Sequence, residues 1–308
     1  MGKTHMLYYF IVILTLMTHA ASCDNNKTSK NPKDTLSERA LTYIGCGVTK
    51  KAFMKEIAAA YKKETGIQIL ISGGGATRGI HFVSREKVDL GGACRHKLSS
   101  SAEQKAYPNI VAWDALVAIV HPSNPINQLK TTELKDILTG KITNWKEVGG
   151  ADTAIQVVSR VGKNSGVGRM ARELIFASAE QEYTDRAKVY PSSGPLEKAI
   201  ERNPYAIGIS GISSARKRQV KQLSLDGAST DYHSISSGAY PLIRPLYLFT
   251  VGKPKGKVKH FIDFVKGPKG QKVIKDQGTV NLEDGKDLIK IYRSKMKYLN
   301  LDDSLWHD

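Results

Sequence analysis

The residues best suited to chemistry in this sequence are hydrogen-bond donors that recur at places where a strand gives way to a helix. The run Ser159-Arg160-Val161-Gly162-Lys163-Asn164-Ser165-Gly166-Val167-Gly168 puts Arg160 at the end of an apolar stretch and Ser165-Gly166 at the start of a helical one. A guanidinium presents a planar fork of donors that matches an oxyanion. A helix start adds free backbone N–H groups and the favourable end of the dipole. The same residues also read as a surface turn with a solvated Arg.

Three earlier turns repeat the pattern. Gly45-Cys46-Gly47-Val48-Thr49 offers Thr49, whose hydroxyl could cap a helix or face a ligand. Gly73 to Gly79 carries Ala76, Thr77 and Arg78, and its glycines let the backbone approach a ligand closely. It is not a P-loop, because no Gly-Lys-Ser/Thr follows. The third turn ends in Cys94-Arg95, where Arg95 reads either as an anion contact or as a solvated loop residue. A small anion needs several such donors converging, because each must replace lost hydration.

Catalytic patterns are missing. There is no HExxH, no GxSxG and no carboxylate cluster for two metals. Cys94-Arg95-His96 places a thiol and an imidazole two residues apart, yet no third residue to orient them is visible. No cofactor and no metal site is expected, since Cys46 and Cys94 lack CxxC partners. Both cysteines fall in turns at one end of the same predicted sheet. Outside the cytosol they could pair as a disulfide, and mass measurement with and without reductant decides that point.

The elements that must hold these turns follow from periodicity. Strands are predicted at Leu41–Ile44, Ile67–Ile71 and Val88–Gly92, with helices over Lys51–Glu64 and near Gly79–Glu86. The first helix shows Phe53, Ile57, Ala60 and Tyr61 on one face and a stop at Gly66. Ile110–Val120 reads as a buried strand leaving the first lobe, and Tyr240–Val251 as the strand that returns. Between them come a helix capped by Thr132, a strand at Ile155–Ser159, a helix over Gly168–Ala177 and a strand at Ala206–Ser210. Phe261–Lys275 is helical, with a break at Gly267-Pro268. Strand–turn–helix repetition of this kind predicts an α/β protein with a mostly parallel sheet.

At 308 residues the chain is long enough for two lobes. Its first residues read as an export signal over 1–22: Lys3 and His5, an apolar run from Leu7 to Met17, then Ala20-Ala21-Ser22. That run is shorter than the about 20 residues a membrane-spanning helix needs. Ala20-Ala21-Ser22-Cys23 resembles a bacterial lipobox, which implies lipidation of Cys23, although Ala20 stands where Leu is usual. Ordinary cleavage nearby would leave Cys23 a plain thiol. The polar stretch 23–40 reads as a tether, too poor in apolar residues to offset its ordering entropy. The net charge is +17, and loss of Lys3 with the signal leaves +16. Such a surface favours anionic partners or serves solubility. Export and the lack of aromatic residues interleaved with the basic ones argue against nucleic acid.

Several segments, in order, resemble the phosphate-binding proteins of bacterial ABC importers, within the type II periplasmic binding fold. They are IQILISGGGATRGI (67–80), VDLGGACR (88–95), LKDILTGKITNWKEVGG (134–150), residues 159–168 and FIDFVKGPKGQKVIKDQG (261–278). The resemblance runs from about Thr42 to Leu282, and LTGKITNW is its most specific part.

The resemblance implies two α/β lobes hinged by two crossing strands, with residues 41–118 and 243–308 in lobe I and 119–242 in lobe II. It implies ligand capture between the lobes, with closure as a population shift. Carried over by position, the ligand-binding set is Thr49, Ala76 with Thr77 and Arg78 beside it, Cys94, Arg95, Arg160, Ser165, Gly166 and Val167. Ala76 and Val167 lack the family's hydroxyls, and Cys94 cannot accept from a protonated phosphate as Asp would. A more fully ionised oxyanion therefore competes with phosphate. The implied protein is no enzyme: a monomeric, periplasmic or cell-surface binding protein, anchored through Cys23, that delivers phosphate or a related oxyanion to an ABC permease. A sensor or a basic adhesin that has altered or lost its ligand is the alternative.

Overall fold

The computed structural model describes residues 40–297. The predicted signal, Cys23 and all of the tether except Ala40 lie outside the described residues. The elements in chain order are β1 (Ala40–Gly45), α1, β2 (Gln68–Gly73), α2 (Gly75–Ser84), β3 (Leu90–Ala93), β4 (Ala106–Val120) and β5 (Gln128–Leu129). Next come α3 (Thr131–Thr139), β6 (Gln156–Arg160), α4 (Gly166–Phe176), β7 (Lys188–Tyr190), α5 (Ser193–Ile200), β8 (Ala206–Gly211) and α6 (Ile212–Ala215). The last are β9 (Lys221–Gln222), β10 (Ser224–Leu225), α7 (Tyr232–Ser236), β11 (Ile243–Val251), α8 (Gly256–Lys266), α9 (Pro268–Asp276) and α10 (Leu288–Met296). Helix α1 begins at Gly47–Thr49, passes through a π-turn at Lys50–Met54 and continues as Lys55–Thr65.

The main sheet runs β2-β1-β3-β11-β4-β8-β6-β7, with β9 also on β4. Its two ends are parallel: β1 pairs with β2 and β3, and β6 pairs with β7 and β8. The middle is antiparallel. Strand β11 lies between β3 and β4, and β4 continues from β11 on to β8. This is the α/β fold with two crossing strands that the sequence implies. Strand β4 pairs with β11 through its first two thirds and with β8 through its last residues, so one continuous strand ties the two parallel ends together.

Burial explains why β4 reads as a nearly unbroken apolar run. From Val111 to Val120 every residue is at most 3% exposed, as expected for a strand covered on both faces. Pro245 sits inside β11 opposite Trp113, and the register slips one position later, at Leu246/Tyr247. A proline has no N–H for the ladder, and a bulge is where a sheet tolerates one.

The predicted elements fall within a few residues of the observed ones. Gly66 ends α1 with φ 75°, and Pro268 opens α9 after Gly267 breaks the helix. On α1, Ala58 is buried and Ala60 only half-buried. The segments missed include β7 and α5, joined by Pro191-Ser192, the short elements β5, α6, β9, β10 and α7, and helix α10.

Candidate functional site

The strand-to-helix turns at the ends of β1, β2, β6 and β7 line one cavity of about 720 Å³. Cys94, just after β3, and Ser214 with Arg218, from α6 and beyond, complete its wall. The two parallel ends run in opposite senses along β4, so the strand ends and helix starts of both point toward the middle of that strand, which is why residues far apart in sequence meet there.

Each turn contributes differently. Cys46 caps α1 by accepting the Thr49 N–H at 3.4 Å, and Ser165 caps α4 by accepting the Gly168 N–H at 3.2 Å. Helices α2 and α5 have no side-chain cap. Their first-turn N–H groups have no partner within the helix and are available to an anion. The π-turn of α1 sets both Lys50 and Lys51 along the cavity.

The cations of the lining are unequal. Lys51 Nζ donates to Ser214 Oγ at 2.8 Å and lies 3.4 Å from Glu197 Oε2. Arg218 Nε donates to the same carboxylate oxygen at 3.1 Å, so one buried Glu197 serves two cations. Lys163 is bound by Glu180 at 3.0 Å and Glu182 at 2.7 Å. Among the described residues, Lys50 and Arg160 have no carboxylate partner. Arg160 Nη1 donates to the Tyr190 carbonyl at 3.0 Å, while its buried Nε has no partner among the described residues. Burial pulls the Arg160 guanidinium below its ordinary pKa, which marks a charge lacking full compensation. Among the described residues, no Asp or Glu belongs to the lining.

Of the residues singled out by sequence, Ala76, Thr77, Cys94, Arg160, Ser165, Gly166 and Val167 all line this cavity. Thr49, Arg78 and Arg95 do not. Thr49 is fully buried, with its hydroxyl 2.8 Å from Tyr43 Oη and 3.1 Å from the Cys46 carbonyl, so it serves the wall behind the site. Arg78 is exposed and lies over the Phe82 ring at 4.8 Å. Arg95 is buried against Glu103, with Nη2–Oε1 at 2.6 Å and Nη1–Oε2 at 2.9 Å. A charged group inside the protein is drawn to a carboxylate before it is drawn to solvent or an anion.

Arg95 and Thr77 nevertheless shape the site. Arg95 Nε and Thr77 Oγ1 both donate to the Asn164 carbonyl, at 2.9 Å and 2.8 Å, and so pin the loop between β6 and α4 against the β2–α2 turn. Beyond them, His96 Nε2 lies 3.6 Å from Glu173 Oε1. The two do not form an ion pair. Burial and the neighbouring Arg95 and Arg169 pull the imidazole down to about 3, and burial lifts Glu173 to about 7.

Cys46 and Cys94 are free thiols, so the structure contains no disulfide between them. Sequence reasoning missed Lys50, Lys51, Ser192, Ser193, Gly194 and Arg218. Ser192-Ser193-Gly194 carried the same small-residue signal as the other turns, but the short strand before it gave no period to anchor it. Nothing in the local sequence marks Arg218, because its position comes from Glu197 across the fold.

The fold has known counterparts. A family model described as a PBP superfamily domain matches residues 36–269. The phosphate-binding protein PstS of Bacillus subtilis is 27% identical over 294 residues, covering 92% of this chain and 96% of that protein. PstS of Borreliella burgdorferi is 26% identical over 282 residues, covering 89% and 99%. Among solved structures, a Clostridium perfringens chain assigned as a phosphate ABC transporter substrate-binding protein, with phosphate bound, is similar with a TM-score of 0.71 and 27% identity; 79% of this chain and 99% of that one are covered. An ABC-type phosphate transport receptor from Vibrio cholerae gives a TM-score of 0.62 at 25% identity, covering 79% and 99%. Matched over most of its length, in fold and in sequence, this chain belongs to the PBP superfamily.

Proposed function

We propose that this protein is an extracytoplasmic solute-binding protein that captures phosphate in the cavity between its two parallel sheet ends and presents it to the permease of an ABC importer. The observation that carries this reading is the cavity itself. Among the described residues, uncapped helix starts, a buried Arg160 Nε with no partner and Lys50 converge on one space whose lining has no carboxylate. Lys50 and Arg160, two cations without carboxylate partners among the described residues, match the charge of a dianion. The likeness to PstS proteins and to a phosphate-bound receptor supports the same choice.

Residues 41–118 with 243–308 then form one lobe and 119–242 the other, and ligand draws them together across β4 and β11. The protein acts as a monomer, without chemistry, at the membrane face outside the cytoplasm, held there by lipid on Cys23. The absence of a carboxylate acceptor favours a second reading, in which a fully ionised oxyanion such as sulfate competes. Calorimetric titration of the ligand-stripped protein tests the proposal. Saturable binding of phosphate supports it, and no heat with phosphate at millimolar concentration removes it.

A further inference from the structure

The proposed phosphate site uses neither the Cys46 nor the Cys94 thiol as a donor, yet both residues line the cavity. They come from neighbouring parallel strands. Gly45 of β1 is the register partner of Gly92 of β3, and Cys46 N–H donates to the Gly92 carbonyl at 2.9 Å. Cys46 follows directly after its paired position and Cys94 two residues after its own. Each side chain shifts the titration of the other, as two groups close in space do, and Cys46 Sγ lies 3.3 Å from Thr49 Oγ1. Cys94 Sγ packs beneath Gly166, where a Cβ would come within 2.5 Å of the sulfur and 3.2 Å of Ala76 Cβ. The dithiol is therefore on the cavity floor, under the two loops that carry Ala76 and Gly166.

Burial raises both thiols. Cys94 stands well above its ordinary value, while the neighbouring Cys94 and hydrogen bonds from Thr49 bring Cys46 below its own.

Two thiols fixed side by side suit a soft centre. A structural metal ion would need more ligands, and no cluster of three His, Cys, Asp or Glu that could hold one occurs among the described residues. Trivalent arsenic is satisfied by two sulfurs and one oxygen. It arrives as the small, uncharged As(OH)₃, which meets no charge barrier at a cationic cavity.

We propose that Cys46 and Cys94 form a dithiol site for trivalent arsenic on the floor of the cavity, and that arsenic bound there blocks the anion. Each sulfur displaces one hydroxyl oxygen from arsenic, and the thiol proton leaves with that oxygen as water. Two As–S bonds form, two As–O bonds break, two waters are released and arsenic stays trivalent. The third arsenic ligand remains a hydroxyl, pointing into the space an anion would use. The blocking clause rests on the phosphate reading; the dithiol site itself does not.

The test is titration of the full chain, reduced with a phosphine and freed of it, with sodium arsenite, read by denaturing mass spectrometry and thiol counting. The wild type is expected to gain one arsenic and lose two titratable thiols. Cys46→Ser and Cys94→Ser should each lose the adduct, while Cys23→Ser keeps it; thermal melts establish that the variants are folded. No adduct in the wild type, an adduct that survives in folded Cys46→Ser or Cys94→Ser, or one that disappears in Cys23→Ser overturns the site. Phosphate binding should vanish in the arsenic-loaded protein and return when excess small dithiol strips the arsenic. Phosphate binding unchanged by a bound arsenic overturns the blocking. A protein that takes arsenic at these cysteines but never binds phosphate leaves the dithiol site standing and removes the phosphate reading instead.

Discussion

Asp114 and Arg244 face each other as register partners on the two crossing strands and form a fully buried ion pair, Nη2–Oδ2 2.7 Å and Nε–Oδ2 3.2 Å. The pair reaches further. Asp114 Oδ1 accepts from Ser213 Oγ at 2.6 Å, and Arg244 Nη1 donates to the Cys94 carbonyl at 3.3 Å. One buried network therefore joins β4, β11, the start of α6 and the turn after β3, at the place where the two parallel ends of the sheet meet.

Removing one member leaves the other charge buried and alone. Asp114→Ala is expected to lower the unfolding free energy by about 3–5 kcal/mol, against about 1 kcal/mol for Ser213→Ala, which loses one short hydrogen bond to Asp114 and two long ones, at 3.4 Å, to Thr279 and Arg216. Urea unfolding of the two variants beside the wild type makes the comparison. Equal, small losses would show that the pair does not hold the crossing strands.

The contact of Gly166 with Cys94 is tight enough to exclude a methyl group. Gly166→Ala places a Cβ within 2.5 Å of Cys94 Sγ, so the start of α4 must move off the cavity floor. Overpacking of this kind costs about 1–3 kcal/mol, which we expect to appear as weakened phosphate affinity because the displaced helix start is part of the site. Adding Cys94→Ala removes the obstructing sulfur and should recover most of the loss. Calorimetry on the single and double variants decides it; a double variant as weak as the single one would locate the effect elsewhere.

His96 and Glu173 set opposite slopes of stability against pH. Glu173 titrates near 7 in the folded protein, against 4.5 unfolded. The folded state therefore holds the extra proton between these values, and stability falls as pH rises through that window. His96 titrates near 3 folded, against 6.5 unfolded. There the unfolded state holds the extra proton, and stability falls as pH drops from 6.5 toward 3. The two slopes oppose each other from 4.5 to 6.5. Glu173→Gln removes the first. Relative to the wild type, the variant should therefore gain stability as pH rises from 4.5 to 7, by up to about 1.4 kcal/mol per pH unit. Denaturation curves across this range check the sign. A difference that does not change with pH would mean that Glu173 titrates normally.

Arg160 carries the charge that the protein leaves least compensated at the site. Arg160→Ala should weaken phosphate binding by about 1.5–3 kcal/mol, the scale of a hydrogen bond to a charged group. The half-buried side chain gives the fold one carbonyl contact, to Tyr190, so the melting temperature should move little. Unchanged phosphate affinity would take Arg160 out of the site.

The parallel ends of the fold were legible because each strand–turn–helix unit writes its own signal: an apolar run, small residues, then a helical period. Gly166 and Ser165 declared a helix start in the same way. The roles of Thr49 and Arg95 were not legible. What decides them is a partner that only the folded chain brings within hydrogen-bond reach: Tyr43 for Thr49, and Glu103 with the Asn164 carbonyl for Arg95. Arg218 escaped notice for the same reason, since Glu197 aims it. The crossing strands lay between these cases. The apolar run of β4 is plain in the sequence, but only the structure shows that Asp114 within it is neutralised by Arg244.

The central claim is that backbone donors, Lys50 and Arg160 together hold a phosphate. Calorimetric titration of the stripped protein with phosphate tests it most directly, with Arg160→Ala titrated alongside. The account predicts one site per chain with micromolar affinity, about −8 kcal/mol, weakened at least tenfold in the variant. A folded wild type that releases no heat with phosphate, or that binds it as tightly without Arg160, would contradict the account.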